Sequence, residues 1–319
     1  AVIFIHDLIP TVLSAVLPDT SGFSVIDANR KAACCQGRFR CWLASPGQCV
    51  MKDDLQTVGA QIGTCKKVII LSRCYYGGFS PGVKKVLDRA ISLSLPFFTY
   101  RSGRVHHPLR YQNRPTLTVC FYGAVTDFER ETAMRLVEAT GQYGLFFGAG
   151  VLCGKAGAHG GGDKKQMNIL ILNASPKSKG SASAFYSSLL RLFLTGCEVK
   201  VNPLRGARDY EKTFALLPWA DAVVISAPVC VDAAPSHVTA FLEQAEQLCQ
   251  EQHAISNCGF IEGHQNELHL RIYEAWCQRA DVCWGGGLGI GGGVILRWMC
   301  MLTALFTVLD TVRLILTAQ

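Results

Sequence analysis

Short apolar runs alternate with longer amphipathic stretches in both halves of the chain. In the first half the pattern predicts strands at 2–5, 66–71 and 115–122 and a helix at 82–94. In the second half it predicts strands at 168–172, 221–226 and 253–258 and helices at 182–194 and 237–250. Continuous apolar strands that alternate with helices are typical of parallel sheets covered on both faces. We therefore expect an α/β fold in each half.

A glycine- and lysine-rich segment separates the two halves. Residues 154–166 contain five glycines and three lysines, a composition typical of a linker. The 319 residues exceed one ordinary α/β core and suit two cores of roughly 150 residues each. In both halves the same spacing separates a strand-ending serine from a helix-starting proline, Ser72 from Pro81 and Ser226 from Pro235. These features favour duplication over coincidence and predict tandem domains at 1–153 and 167–319.

The composition of the chain argues against a disordered protein and against a nucleic-acid-binding protein. Hydrophobic residues make up 49% of the chain and charged residues 17%, which argues against disorder. The net charge of +7 comes from scattered Lys and Arg, so small anions are expected as partners and nucleic acid is not. The 15 cysteines form an odd number and no cleavable signal peptide is visible, so we expect a cytoplasmic protein with free thiols.

The C-terminal segment 294–316 is strongly apolar. Its uninterrupted part is shorter than the roughly 20 residues that cross a bilayer, so no transmembrane span is expected. The sequence favours a last helix packed on the sheet, with membrane or subunit contact as the alternative.

The strongest chemical signal is the loop 173–183 (NASPKSKGSAS), which leaves a strand and enters a helix. Unpaired N–H groups and the helix dipole make this a place where phosphate binds. The groups expected to bind the anion are Ser175, Lys177, Ser178, Gly180, Ser181 and Ala182. The alternative is a solvated loop in which a serine only caps the helix. The segment is neither a Walker loop nor G-x-G-x-x-G, which disfavours ATP and a direct Rossmann NAD site.

Residues 170–177 (LILNASPK) resemble the strand and phosphate loop of the NADPH-dependent FMN reductase family, which has a flavodoxin-like fold. Residues 227–236 (APVCVDAAPS) are similar to the second flavin loop of that family, with Cys230 where Tyr is common. Residues 257–266 (NCGFIEGHQN) resemble its third loop. The resemblance implies two tandem flavodoxin-like, doubly wound parallel-sheet domains, with FMN in the second. The implied flavin contacts are Pro228, Val229, Cys230, Val231, Asn257, Gly259, Phe260 and Gly263.

His264 is the candidate catalytic residue, because it and Glu262 are the titratable groups of the third loop. An imidazole there would stabilise the charge of the reduced flavin or pass a proton to the acceptor. The alternative is a solvated surface histidine.

The first half contains a cysteine-rich stretch, 35–49, similar to that of iron–sulfur flavoproteins. A [4Fe–4S] cluster requires four thiolates. Arg38 occupies a ligand position and only Cys35, Cys41 and Cys49 remain at suitable spacing. We therefore predict no metal site, and expect a loop with a structural Trp42 and a turn at 46–47.

Residues 72–81 of the first half resemble the second flavin loop, so Tyr75 and Tyr76 are candidate ring contacts. The alternative is that both pack on the core. The loop 6–11 has no Ser- or Gly-rich nest and Asp7 would repel a phosphate, so this half is not expected to hold FMN alone. It is expected instead to act as the partner in an intramolecular pseudo-dimer, and a further homodimer is left open.

The sequence thus favours an FMN-dependent NAD(P)H oxidoreductase. Hydride would pass from nicotinamide to the flavin and then to a small-molecule electron acceptor, such as a quinone or free flavin. The alternative is a non-catalytic electron carrier or interaction module. The glycine-rich segment 285–293 resembles a strand end of related reductases rather than a dinucleotide fingerprint.

Overall fold

The computed structural model describes residues 1–101, 104–141, 149–150, 167–177, 180–194, 196–246, 251–258, 260 and 262–292. The chain divides into two compact units, Ala1–Lys155 and Ala156–Gln319. We refer to them as the first and second units and describe each by itself.

The first unit is built on a parallel sheet. Its strands are β1 (Val2–His6), β2 (Phe23–Asp27), β3 (Lys67–Tyr75), β4 (Gly78–Phe79), β5 (Thr99–Arg101), β6 (Arg104–His106), β7 (Thr116–Tyr122) and β8 (Ala149–Gly150). Its helices are α1 (Pro10–Val16), α2 (Arg40–Leu43), α3 (Val58–Thr64), α4 (Pro81–Arg89) and α5 (Asp127–Thr140). The parallel strands lie in the order β2-β1-β3-β7-β8, while β4 forms a hairpin with β3 and β5 pairs with β6.

The second unit has the same arrangement. Its strands are β9 (Asn168–Asn173), β10 (Glu198–Pro203), β11 (Ala222–Pro228), β12 (Glu251–Asn257) and β13 (Trp284–Ile290). Its helices are α6 (Ala182–Phe193), α7 (Tyr210–Phe214), α8 (Ser236–Ala245) and α9 (Glu267–Ala280). The order β10-β9-β11-β12-β13 is parallel throughout. Counted along the chain, both units have the flavodoxin-like order 2-1-3-4-5, so the predicted fold class is confirmed.

The core of the second unit follows from two periodicities. Ile169 and Ile171 are alternate residues of β9 and point to one face of the sheet. Tyr186 and Leu190 are four residues apart on α6 and pack against them. All four side chains have no solvent exposure. Leu170 and Leu172, on the other face of β9, are also 0% exposed, so this strand is continuously apolar because both of its faces are covered.

Several boundaries differ from the prediction. β3 continues past residue 71 to Tyr75, because its last residues pair with β4. The helix expected at 82–94 begins at Pro81, where proline fits the first helical position, and ends at Arg89 before a 3₁₀ turn. The edge strands β2 and β10 were not predicted, since partial burial leaves their sequences mixed.

The glycine-rich segment forms the edge strand β13. A Cβ on Gly289 would lie 2.8 Å from the Asn266 Cβ, so glycine permits close contact with the turn before α9. The apolar segment 294–316 lies outside the described residues. Within the part of the chain that the structure describes, no helix is long and apolar enough to cross a membrane.

Candidate functional site

Three loops of the second unit leave the same edge of its sheet. β9, β11 and β12 are neighbouring parallel strands, so the loops that follow them begin side by side. In open parallel sheets ligands bind at the carboxyl edge, where the strand order reverses. Here the order reverses between β9 and β11, so the predicted first and second loops flank that point.

The first loop is partly folded into the protein. The Ser175 side chain is 3% exposed, and its Oγ accepts from the Lys177 N–H at 3.3 Å. Ser181 is the N-cap of α6 and accepts from the Ala184 N–H at 3.1 Å, directly before Ala182 begins the helix. Gly180 has a φ of +65°, which suits glycine. Ser175 and Ser181 thus each accept a backbone hydrogen bond at one end of the loop, while Ser178 lies outside the described residues.

A buried polar layer supports the first turn of α6. The Asn257 Nδ2 donates to the Ser183 Oγ and to the Ala227 carbonyl, both at 3.0 Å. The Ser226 Oγ donates to the Ser183 carbonyl at 3.2 Å. All three polar side chains are at most 5% exposed. The layer fixes the start of α6 to the ends of β11 and β12, and Ser226 was not anticipated as part of it.

His237 is a second residue that the sequence did not single out. It is 2% exposed in the first turn of α8, and its Nε2 lies 3.1 Å from the Ala174 carbonyl. Because a carbonyl only accepts, Nε2 carries the proton. The Tyr210 hydroxyl donates to the His237 carbonyl. His237 thus joins the first loop to the helix after the second loop. The one feature of the sequence that could have indicated this role is that His237 directly follows Pro235 and Ser236, which start the helix after the second loop.

The second loop is a tight turn with backbone strain. Cys230 and Ala233 exchange backbone hydrogen bonds of 2.9 and 3.1 Å. Val231 and Asp232 between them have φ values of +46° and +57°. This is a type I′ geometry, which is costly for a β-branched residue such as Val231. Strain of this kind is concentrated at functional sites.

The second and third loops are connected through their backbones. Pro228 ends β11, and the following Val229 donates its N–H to the Asn257 carbonyl at 2.8 Å. The third loop contains half-buried Phe260 and a 3₁₀ turn, Gly263–Asn266, on which His264 is exposed. Gly259 lies outside the described residues. The structure therefore brings the described residues of the three loops to one sheet edge and leaves His264 at the surface.

Tyr75 and Tyr76 lie in the core of the first unit. They are 9% and 0% exposed, and their rings meet edge to face at 5.9 Å. Tyr76 and Gly77 both have positive φ and form the turn between β3 and β4. Because the Tyr76 ring is fully buried, it has no face open to a ligand. This agrees with the alternative that the two tyrosines pack on the core.

Asp7 follows β1 at the carboxyl edge of the first unit. Its Oδ2 accepts from the Arg73 N–H at 2.9 Å. Burial, together with the Asp7 carboxylate, raises the pKa of Tyr122 to about 12. Pro10, the first residue of α1, has no N–H to offer an anion. After its first strand the first unit thus has the Asp7 carboxylate, whereas the second unit has the serine-rich loop after its first strand.

The cysteine-rich loop is held to α4 by Arg89. This buried guanidinium donates to the Cys49 Sγ at 2.9 Å and to both Asp53 carboxylate oxygens at 2.6 and 2.9 Å. Burial raises the pKa of Cys35 to about 12 and also raises that of Cys41, so both are neutral thiols near pH 7. Among the described residues, no group of three or more His, Cys, Asp or Glu side chains is arranged to hold a metal.

Trp42 has the structural position that the sequence suggested. Its indole N–H donates to the Ile91 carbonyl at 3.1 Å, which attaches α2 to the turn after α4. The 12 cysteines that the structure describes are free thiols.

No protein-family model and no curated protein matches the chain. Similar solved structures include the Trp repressor binding protein from Bacillus subtilis, at 14% identity and a TM-score of 0.34, covering 44% of this chain and 94% of that one. An NAD(P)H:quinone oxidoreductase from Methanothermobacter marburgensis has 14% identity and a TM-score of 0.37, covering 47% and 95%. General stress protein 14 from Treponema denticola, in complex with FMN, has 13% identity and a TM-score of 0.36, covering 48% and 99%.

Proposed function

We propose that the second unit binds FMN and that the protein is an NAD(P)H-dependent FMN oxidoreductase. The observation that carries the proposal is the buried Ser183–Ser226–Asn257 layer, which holds a serine- and lysine-containing loop at the carboxyl edge of the sheet. The likeness of the three loop sequences to the FMN reductase family supports the same cofactor.

The donors of the first loop fit a phosphate monoester. Backbone N–H groups at the start of α6, the serine hydroxyls and the Lys177 ammonium all favour a dianion. The proposed phosphate contacts are Ser175, Lys177, Ser178, Gly180, Ser181 and Ala182. For the ring we propose Pro228, Val229, Cys230 and Val231 on the second loop, and Asn257, Gly259, Phe260 and Gly263 on the third.

When bound, FMN would supply hydride transfer between NAD(P)H and a small-molecule acceptor. The chain's own residues would hold the ring between the second and third loops and limit access of water. We propose that His264, exposed on the third loop, holds or donates a proton at the acceptor. The first unit, with Asp7 at its own sheet edge, is proposed to act as a built-in partner rather than as a second flavin domain.

Phosphate recognition is tested by comparing FMN with riboflavin, which lacks the phosphate. Lys177→Glu is expected to weaken FMN binding by roughly 10- to 100-fold, since a charge-assisted hydrogen bond contributes about 1.5–3 kcal/mol. Riboflavin affinity should stay within about threefold. Flavin-fluorescence titration measures both.

The matched control is Arg191→Glu, which makes the same charge change on exposed Arg191 in the last turn of α6. At a rise of 1.5 Å per residue, this position lies about 15 Å from Ser181. Equal effects of the two variants, or equal wild-type affinities for FMN and riboflavin, would contradict a phosphate site at the first loop. Steady-state NAD(P)H oxidation by the FMN-loaded protein then separates a reductase from a non-catalytic carrier.

A further inference from the structure

Four fully buried polar side chains form a continuous chain between β12 and α9. The Ser256 Oγ lies 2.7 Å from the Asn266 Oδ1 and 2.7 Å from the His269 Nδ1. The His269 Nε2 lies 2.9 Å from the Tyr273 hydroxyl, one helical turn further along α9. All four residues are 0% exposed. A wholly buried polar chain is stable only when each member has its partner.

The hydrogen bonds have one consistent direction. The Asn266 Nδ2 donates to the Gly263 carbonyl at 2.8 Å, so the Asn266 Oδ1 is the acceptor and Ser256 gives it its single proton. Ser256 must then accept from the His269 Nδ1–H. A neutral imidazole with a proton on Nδ1 accepts at Nε2, and Tyr273 is the donor there. The contacts therefore select one tautomer of His269.

This chain contacts the third loop directly and adjoins Asn257, which holds the second loop. Asn266 fixes the third loop through the Gly263 carbonyl and a 3.5 Å contact to the Cys258 Sγ. The second loop is joined to the same strand end, because the Val229 N–H donates to the Asn257 carbonyl at 2.8 Å, one residue after Ser256. Ser256 directly precedes Asn257, which supports the start of α6.

We propose that Ser256, His269 and Tyr273 are positioning residues that hold the second and third loops at the spacing required by a flat ring. The inference rests on the proposed function. The tautomer-selected chain keeps the two loops in place before the ligand arrives, so it contributes to ring affinity and not to phosphate recognition. Its effect is separable from that of the first loop, because riboflavin carries the ring without the phosphate.

The test is Tyr273→Phe, which removes one hydroxyl and leaves the His269 Nε2 without its donor. FMN and riboflavin affinities are both expected to fall about tenfold, with their ratio unchanged, and the visible circular dichroism of the bound flavin should change. The control is Tyr186→Phe, since the buried Tyr186 hydroxyl of the same unit has no hydrogen-bond partner among the described residues. Both affinities should stay at the wild-type value in that variant.

Failure of this inference differs from failure of the proposed function. If the wild-type protein binds neither flavin, the proposed function is wrong. If it binds FMN but Tyr273→Phe leaves both affinities and the dichroism unchanged, only the positioning role is wrong. The positioning role is also wrong if Tyr273→Phe weakens the binding of FMN but not that of riboflavin. Should Tyr273→Phe not fold, Ser256→Ala removes the link between Asn266 and His269 within the chain, and the same titration decides.

Discussion

Tyr186 is a fully buried residue of α6 whose hydroxyl has no hydrogen-bond partner among the described residues. A buried polar group without a partner costs about 1–3 kcal/mol. Tyr186→Phe removes that cost with little change in shape, so the free energy of unfolding at pH 7 should rise by about 1 kcal/mol. Urea denaturation monitored by circular dichroism measures the change, and a lower stability of the variant would contradict the burial argument.

The stability difference between Tyr186→Phe and the wild type should also depend on pH. Burial raises the pKa of Tyr186 to about 12, whereas an unfolded tyrosine ionises near pH 10. Between these values the unfolded wild-type chain loses its proton and the folded one does not. The wild type therefore loses stability as the pH rises from about 10 to 12. Tyr186→Phe lacks this loss, so its advantage over the wild type should grow across that range.

At the scale of elements, one ion pair attaches the cysteine-rich loop to α4. The Arg89 side chain is fully buried and Asp53 is 20% exposed, with N–O contacts of 2.6 and 2.9 Å. Asp53→Asn leaves the buried guanidinium without its carboxylate, so the free energy of unfolding at pH 7 should fall by about 2–4 kcal/mol. Asp54→Asn is the matched control. Asp54 is 74% exposed and lies 3.8 Å from Arg30, so a change below about 1 kcal/mol is expected.

The effect of Asp53→Asn should disappear in acid. The hydrogen bond from Arg89 lowers the pKa of Asp53. A carboxylate with a lowered pKa contributes its full stability above its ordinary pKa near 4, and loses it as the pH falls through the lower folded value. The stabilities of the wild type and Asp53→Asn should therefore converge as the pH falls below 4. A difference that persists unchanged there would mean that the aspartate acts through packing and not through its charge.

At the scale of the whole molecule, two units of the same strand order differ at the loop after their first strand. The first unit has Asp7 and a seven-residue helix without a side-chain cap, whereas the second has a capped twelve-residue helix behind its serine-rich loop. The glycine- and lysine-rich composition of residues 154–166 supports our proposal that this segment is a linker. We propose that the first unit acts as a covalently attached partner, which a flexible linker would hold at roughly millimolar effective concentration.

A fragment of residues 167–319 tests this organisation. The fragment is expected to bind FMN more weakly, or to oxidise NAD(P)H more slowly, than the full chain at equal folded concentration. Circular dichroism establishes that the fragment is folded before the comparison. A folded fragment with the affinity and rate of the full chain would show that the first unit takes no part in the site.

The sequence by itself determined the fold class. Runs such as 169–172, which are fully buried in β9, are typical of a parallel sheet covered on both faces, and their alternation with the predicted helices indicated an α/β fold. The helix cap at Ser181 was likewise predictable, because capping depends on neighbouring residues. The assignment of the flavin contacts stays a prediction.

Only the tertiary structure decided which polar groups meet beneath the loops. Ser226 and Ser183 are 43 residues apart, Asn257 and Ser183 are 74, and His237 and Ala174 are 63. No local pattern encodes such pairs, because they arise from the order of strands in the sheet. Tyr76 illustrates the same limit, since its aromatic character suggested a ring contact whereas pairing of β3 with β4 placed it in the core. Hydrophobic periodicity is a local pattern that can be recognised within a few residues of the sequence. A buried hydrogen bond between distant residues depends instead on where their strands end in the folded sheet.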